Sequence, residues 1–250
     1  MKNFFLSGVA TAGVAALALF TVPAHGQSAL SEAQKKQVKE LVREYILENP
    51  EIISEAVTLL QEKEEKAKTA KIAAAIKNNR AALVNPPEGT VLGNPKGDVT
   101  LVEFFDYNCG YCKQVFPTVM ETLKEDGKIK LVVKEFPILG NPSVVASRAA
   151  LAARKQNKYS EFHLAMLSHR GSLTEDTIMK LAADVKLDVK KLQADMKAPE
   201  INEILTKNHQ LAQELGIEGT PAIVIGDTLV PGALQKDHLK ELIAAERKRK

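Results

Sequence analysis

Two thiols carry the chemistry of this chain. Cys109 and Cys112 are the 2 cysteines in its 250 residues, with Gly110 and Tyr111 between them. Thiols at i and i+3 close a strained disulfide that another dithiol can open. The residues before them, 99–105, are apolar and largely β-branched, and those after them set Val115, Val119 and Leu123 on one helical face. The pair thus stands where a strand passes into a helix, and a helix N-terminus stabilises a thiolate. With no third cysteine the chain has no disulfide framework of its own. A structural zinc site needs a full set of ligands, commonly a second CxxC or a close histidine pair. Of the 5 histidines, only His163 and His169 lie near each other. Haem attachment needs histidine directly after the second cysteine, where Lys113 stands. A structural disulfide over one helical turn closes too short a loop to stabilise much. Redox exchange remains, with the Cys109–Cys112 pair itself as the redox group and no further cofactor or metal.

Three other positions bear on that chemistry. Glu103 lies among apolar neighbours on the strand leading to Cys109. It either faces solvent on an edge strand or is a buried carboxyl of raised pKa, suited to accept a proton from Cys112. Pro117 falls inside the helical stretch, where it would kink the helix. Gly219, Thr220 and Pro221 precede the apolar run 222–225. A trans proline sits badly in a ladder, so a cis Thr220–Pro221 peptide is expected, leaving the Thr220 backbone free to pair with an extended substrate.

The elements that must position these residues follow from periodicity. Residues 31–80 read as helix throughout. Val38, Leu41, Val42 and Tyr45 form one apolar stripe, and Asn49, Pro50 and Glu51 start a second helix with Ile52, Ile53, Ala56, Val57 and Leu60 on its face. A charged stretch, 61–71, follows. These helices cannot bury their own stripes; packing on copies of the same chain is favoured over packing on the main domain, making residues 28–80 an oligomerisation arm. The main domain spans 86–250. A strand at 90–92 comes first, and strands at 99–105 and 129–136 enclose the cysteine helix in a βαβ unit. Residues 137–196 read as an all-helical insertion. A helix from Pro199 stops at Gly216, strands 222–225 and 228–230 flank the hairpin turn Gly226-Asp227, and a helix from Gln235 closes the chain. The fold class is α/β, a sheet domain with an inserted helical domain, preceded by a helical arm.

The N-terminus indicates compartment. Met1-Lys2, an uncharged run over 4–20, and Val22-Pro23-Ala24 follow the grammar of a cleaved signal peptide covering residues 1–24. That places the mature protein in an oxidising space such as the periplasm. The formal net charge of +3 and the lack of an aromatic-interleaved basic stripe argue against nucleic acid as a partner. The basic residues 247–250 read as a solvated helix end.

The segment from Glu103 to Lys113, with Cys109-Gly110-Tyr111-Cys112 at its centre, resembles the active site of the DsbA-like thiol:disulfide proteins of the thioredoxin superfamily. Gly219-Thr220-Pro221 is similar to their cis-proline loop, and the helical insertion sits where theirs does. The resemblance implies a thioredoxin fold over roughly 88–246. It also implies that Cys109 is the exposed nucleophile, Cys112 the resolving thiol and Glu103 the buried acid, with Gly110, Tyr111, Thr220 and Pro221 facing substrate. Strong oxidases of that family carry Pro-His between the cysteines. Gly110-Tyr111 lacks that histidine, and with Thr220 before the proline is similar to the dimeric periplasmic disulfide isomerases. Residues 31–50 resemble the N-terminal segment of the ScsC-like (suppressor of copper sensitivity) group, whose members can be trimeric and act as isomerases. The resulting expectation is a homotrimer that rearranges or reduces disulfides in unfolded or misoxidised secreted proteins, served by a membrane redox partner. Two other uses of the pair stay open here: a monomeric dithiol oxidase, and a copper-protective protein holding Cu(I) through its thiolates.

Overall fold

The computed structural model describes residues 30–249; the leader expected over 1–24 lies outside them. The chain divides into two units, one ending at Leu60 and the other beginning at Gln61. In the first, α1 (Glu32–Glu48) opens with a full capping box. The Ser31 hydroxyl accepts from the Gln34 backbone (3.3 Å), and the Gln34 side chain accepts from the Ser31 backbone (2.9 Å). α1 nevertheless buries no residue: Leu41 stays 66% exposed and Tyr45 57%.

α2 (Glu51–Asn78) is one long helix that runs straight through the charged stretch. From Gln61 onward its residues belong to the second unit. There Ile76 and, on α3 (Arg80–Val84), Leu83 are buried with Val102, Phe104, Val132 and Phe136. Two lysines of the sheet reinforce this seam: Lys130 Nζ donates to the Val84 carbonyl (2.9 Å) and Lys134 Nζ to that of Ala82 (2.8 Å). The arm expected over 28–80 is therefore too long, because the apolar residues at its end complete the core of the sheet domain.

That domain is built on β1 (Val91–Gly93), β2 (Val99–Phe105), β3 (Ile129–Glu135), β4 (Ala222–Ile225) and β5 (Thr228–Pro231), in the order β1-β3-β2-β4-β5. β2 and β3 pair in parallel across the crossover helix α4 (Gly110–Asp126); the other pairs are antiparallel. β2 is central and buried on both faces, which is why it reads as a continuous apolar run. Leu101 and Phe105 face α4 and the insertion, whereas Val102 and Phe104 face α3 and the helix before β4. The insertion holds α5 (Asn141–Ala153), α6 (Tyr159–Ser168), α7 (Glu175–Asp184) and α8 (Val189–Asp195), after which α9 (Pro199–Glu214) returns to the sheet and α10 (Lys236–Arg249) closes the domain. The insertion is not helical throughout: residues 136–140 are irregular between Glu135 and α5. Nor is the basic C-terminus merely solvated. Arg247 donates to both Asp98 oxygens (3.0 Å) and to Asp126 (2.6 Å), tying α10 to the strand entry and to the end of α4. Among the described residues no helix is long and apolar enough to cross a membrane.

Candidate functional site

β2 delivers the chain to the thiols. Cys109 is the N-cap of α4, with extended backbone (φ −73°, ψ 116°), and its Sγ accepts the Cys112 N–H at 3.3 Å. A thiol thus occupies the place usually held by a serine or aspartate oxygen. Both thiols are free, and Cys109 Sγ donates to the Thr220 carbonyl at 3.2 Å. The Cys109 pKa is lowered to about 6. A hydrogen bond from the Cys112 thiol is the main cause; burial opposes it, while the Thr220 side chain and the N–H groups of Cys112 and Tyr111 add to it. The Thr220 carbonyl contact favours the thiol form instead, so the donors prevail over it. Cys112 is pushed far upward by the same bond, by burial and by the charges of Cys109 and Glu103. Near neutral pH the two sulfurs are therefore unlike: one a thiolate at the surface end of the helix, the other a thiol within it.

Glu103 is 3% exposed and stands at the middle of the central strand, in register with Val133 and Ile223. It shares a face with Leu101 and Phe105, the face that carries α4 and both cysteines. The edge-strand alternative is excluded. Burial, followed by the Cys109 charge, raises its pKa to about 7. Thr220–Pro221 is cis, and β4 begins directly after it with Ala222 opposite Phe104. Gly110 and Tyr111 lie at the surface, Tyr111 66% exposed. The structure thus gathers Cys109, Cys112, Glu103 and Thr220, with Pro221 buried beside them and Tyr111 projecting outward. Pro117 lies inside α4, as expected.

Three residues that sequence reasoning passed over hold this arrangement. Asp106 is wholly buried. One of its oxygens accepts the Asn108 N–H (2.8 Å), the other those of Ile138 (2.9 Å) and Leu139 (3.0 Å), fastening the 136–140 loop beside the thiol turn. The Asn108 side chain bonds Ser143 (3.3 Å) and the Leu173 N–H (2.8 Å), and Lys113 reaches the Gly171 carbonyl (2.6 Å). Aspartate at a strand end and asparagine just before a cap are turn-forming types, the one available signal. A groove of about 490 Å³ adjoins the cis-proline loop, lined among others by Thr69, Ile72, Thr220, Pro221 and Leu229. Among the described residues no group of three or more His, Cys, Asp or Glu side chains is placed to hold a metal.

This geometry meets an independent sequence match: residues 100–244 fit the DSBA-like thioredoxin domain. The chain belongs to that family. Residues 34–67 match the copper resistance protein ScsC N-terminal domain. Among solved structures, a thioredoxin-like oxidoreductase from Silicibacter pomeroyi is 46% identical, with 68% of this chain and 98% of that one covered and a TM-score of 0.66. Proteus mirabilis ScsC in a transitional conformation is 30% identical over 90% of this chain and 100% of its own, with a TM-score of 0.65. The probable disulfide bond formation protein D of Bacillus cereus is 29% identical over 171 residues, 63% of this chain and 78% of its own. The chain is a DsbA-like protein of ScsC type and a thiol–disulfide oxidoreductase.

Proposed function

We propose that this oxidoreductase acts in the periplasm as a homo-oligomer, a trimer, that rearranges or reduces disulfides in unfolded or misoxidised secreted proteins. One observation carries the reading: α1 is fully capped yet leaves Val38, Leu41, Val42 and Tyr45 exposed on a chain whose other unit holds a single low-pKa thiol. Such a stripe is stable when copies cover one another, and an oligomer then brings several nucleophiles to one substrate. The signal-like residues 1–24 support the compartment.

The steps follow from the two unlike sulfurs. The Cys109 thiolate attacks a substrate disulfide, forming one S–S bond to substrate and expelling a substrate thiolate. In isomerisation that thiolate, or another of the same substrate, attacks the mixed disulfide and Cys109 leaves as thiolate, with no net electron transfer. In reduction, Cys112 gives its proton to Glu103 and attacks Cys109 Sγ, releasing reduced substrate and leaving the Cys109–Cys112 disulfide. A membrane reductant then returns the pair to dithiols. Tyr111, exposed where strong oxidases carry histidine, supplies no cation to hold the thiolate.

The test is recovery of a scrambled multi-disulfide protein by the full mature chain and by Leu41→Glu, with sedimentation of both. A trimeric wild type with isomerase activity, and a monomeric variant that loses it while still exchanging simple disulfides, supports the reading. A monomeric wild type, or a monomeric variant equal in isomerisation, overturns it. One observation favours a second reading, a dithiol oxidase: a Cys109 pKa of about 6 makes that sulfur a good leaving group. It predicts that the oxidised chain transfers its disulfide to a reduced substrate regardless of oligomeric state.

A further inference from the structure

The groove beside the cis-proline loop has no part in the exchange steps. One wall is α2, through Glu65, Lys68, Thr69 and Ile72, all within the second unit; the other is the loop before β4, together with β5. Thr220 belongs to that second wall, and its carbonyl accepts from Cys109 Sγ, so the groove opens at the nucleophile. Ile72 and Leu229 are half-buried and pack on the core beneath, which makes the floor apolar. Glu65 and Lys68 are exposed at its rim.

The backbone around this groove is arranged to meet another backbone. β5 is an edge strand. The Gly232 N–H donates to the Pro221 carbonyl (2.8 Å), and the register sets Ile223 opposite Val230 and Val224 opposite Leu229. Hydrogen-bonded and non-hydrogen-bonded pairs alternate along an antiparallel ladder. Leu229 therefore turns its N–H and carbonyl away from β4, off the edge of the sheet, where an extended chain can pair. Two glycines point the same way. Among the described residues Gly97, Gly110 and Gly219 do not take a left-handed φ. Packing requires Gly97, whose added Cβ would lie 2.5 Å from the Lys130 backbone nitrogen. A Cβ at Gly110 or Gly219 would meet no atom within 4 Å. Neither turn geometry nor internal packing asks for these two, yet they flank the nucleophile, one following Cys109 and the other preceding Thr220. Bare backbone suits close approach by a chain from outside.

We propose that this groove seats an extended segment of the substrate polypeptide, the one carrying the disulfide under attack. The segment crosses Gly219, pairs with the free edge at Leu229 and sets an apolar side chain on the Ile72–Leu229 floor. Thr69 of α2 is then a specificity-determining wall, so the helix that leads out of the first unit also shapes substrate choice. A second copy of the chain is the rival occupant. The exposed stripe that calls for copies lies in the first unit, however, whereas every residue of this groove lies in the second, with Cys109. The inference rests on exchange at Cys109, and neither on the trimer nor on the direction of exchange.

The experiment measures release of thionitrobenzoate by the reduced full chain from two mixed disulfides. One is that of an extended peptide with apolar residues beside its cysteine, the other that of cysteine alone. The expected wild type prefers the peptide. Thr69→Trp, which crowds the groove from an exposed helical position, and Gly219→Val, which covers the bare backbone, should each lower that preference about tenfold, the scale of one apolar subsite. The chain has 0 tryptophans, so the introduced indole also reports directly: in a Cys112→Ser background its emission should shift when the peptide is trapped on Cys109. A wild type without preference overturns the proposal. So does an unchanged preference in both variants, or a change in sedimentation in its place, which would assign the groove to a second copy. A chain that reacts with neither compound fails at the exchange chemistry itself and takes the proposal with it.

Discussion

The N-terminal unit and the sheet domain treat apolar residues in opposite ways. α1 and the start of α2 place leucine, valine and tyrosine on regular helical stripes and leave them in solvent, whereas β2 buries nearly every side chain it has. The first unit owes its helices to local devices, the Ser31–Gln34 box and the Pro50–Glu51 start, and its stripe awaits a cover. A buried aliphatic side chain is worth about 1.5–3 kcal/mol over an exposed one, so an uncovered stripe forgoes much of what the sheet domain collects. The same difference separates chemistry from the proposed assembly: every thiol contact lies in the second unit.

That separation predicts which changes affect which property. Cys109→Ser is expected to abolish exchange altogether while leaving sedimentation and thermal unfolding of the reduced chain unchanged; an exchange assay beside both checks it. Leu41→Glu is expected to do the reverse, dispersing the proposed oligomer with the sheet domain intact. Leu83→Ala, at the seam of α3 with the sheet, should lower unfolding stability by about 2–5 kcal/mol through the cavity it leaves. Denaturant titration should show that loss without a change in the reactivity of Cys109.

Glu103→Gln has a smaller, pH-dependent effect. The carboxyl titrates near 4.5 when unfolded and about 7 when folded, so the folded chain binds the proton more tightly. Wild-type stability therefore falls as pH rises from the first value to the second and stays lower above it. The amide avoids that penalty, and the variant gains up to about 3 kcal/mol over wild type at alkaline pH relative to acid pH. Resolution of the mixed disulfide by Cys112 should slow at the same time. A stability difference that does not change with pH would contradict the assignment of Glu103 as the group that titrates.

Much of this was readable beforehand where the signal is local. The β2–α4–β3 unit, the Gly226-Asp227 hairpin and the place of the thiol pair at a strand-to-helix junction follow from periodicity and turn chemistry. Glu103 was legible as one of two alternatives, and only the strand order decided between them. Other features depend on distant partners. The break after Leu60 was obscured because the charged residues 61–71 interrupt the apolar stripe but not the helix, which charged residues with good helix propensity continue. Asp106 and Asn108 act on backbone groups far along the chain, and Arg247 on Asp98, so their roles exist only once the fold brings the partners together.

The account rests on a thiolate at Cys109, held by the N-terminus of α4 and by Cys112. Alkylation of the reduced full chain as a function of pH, with the modified residue located by mass spectrometry, tests it directly. The predicted result is a rate that rises through a midpoint near about 6, with the label on Cys109. A midpoint near the ordinary thiol value of about 8.5, or a label on Cys112, would contradict it.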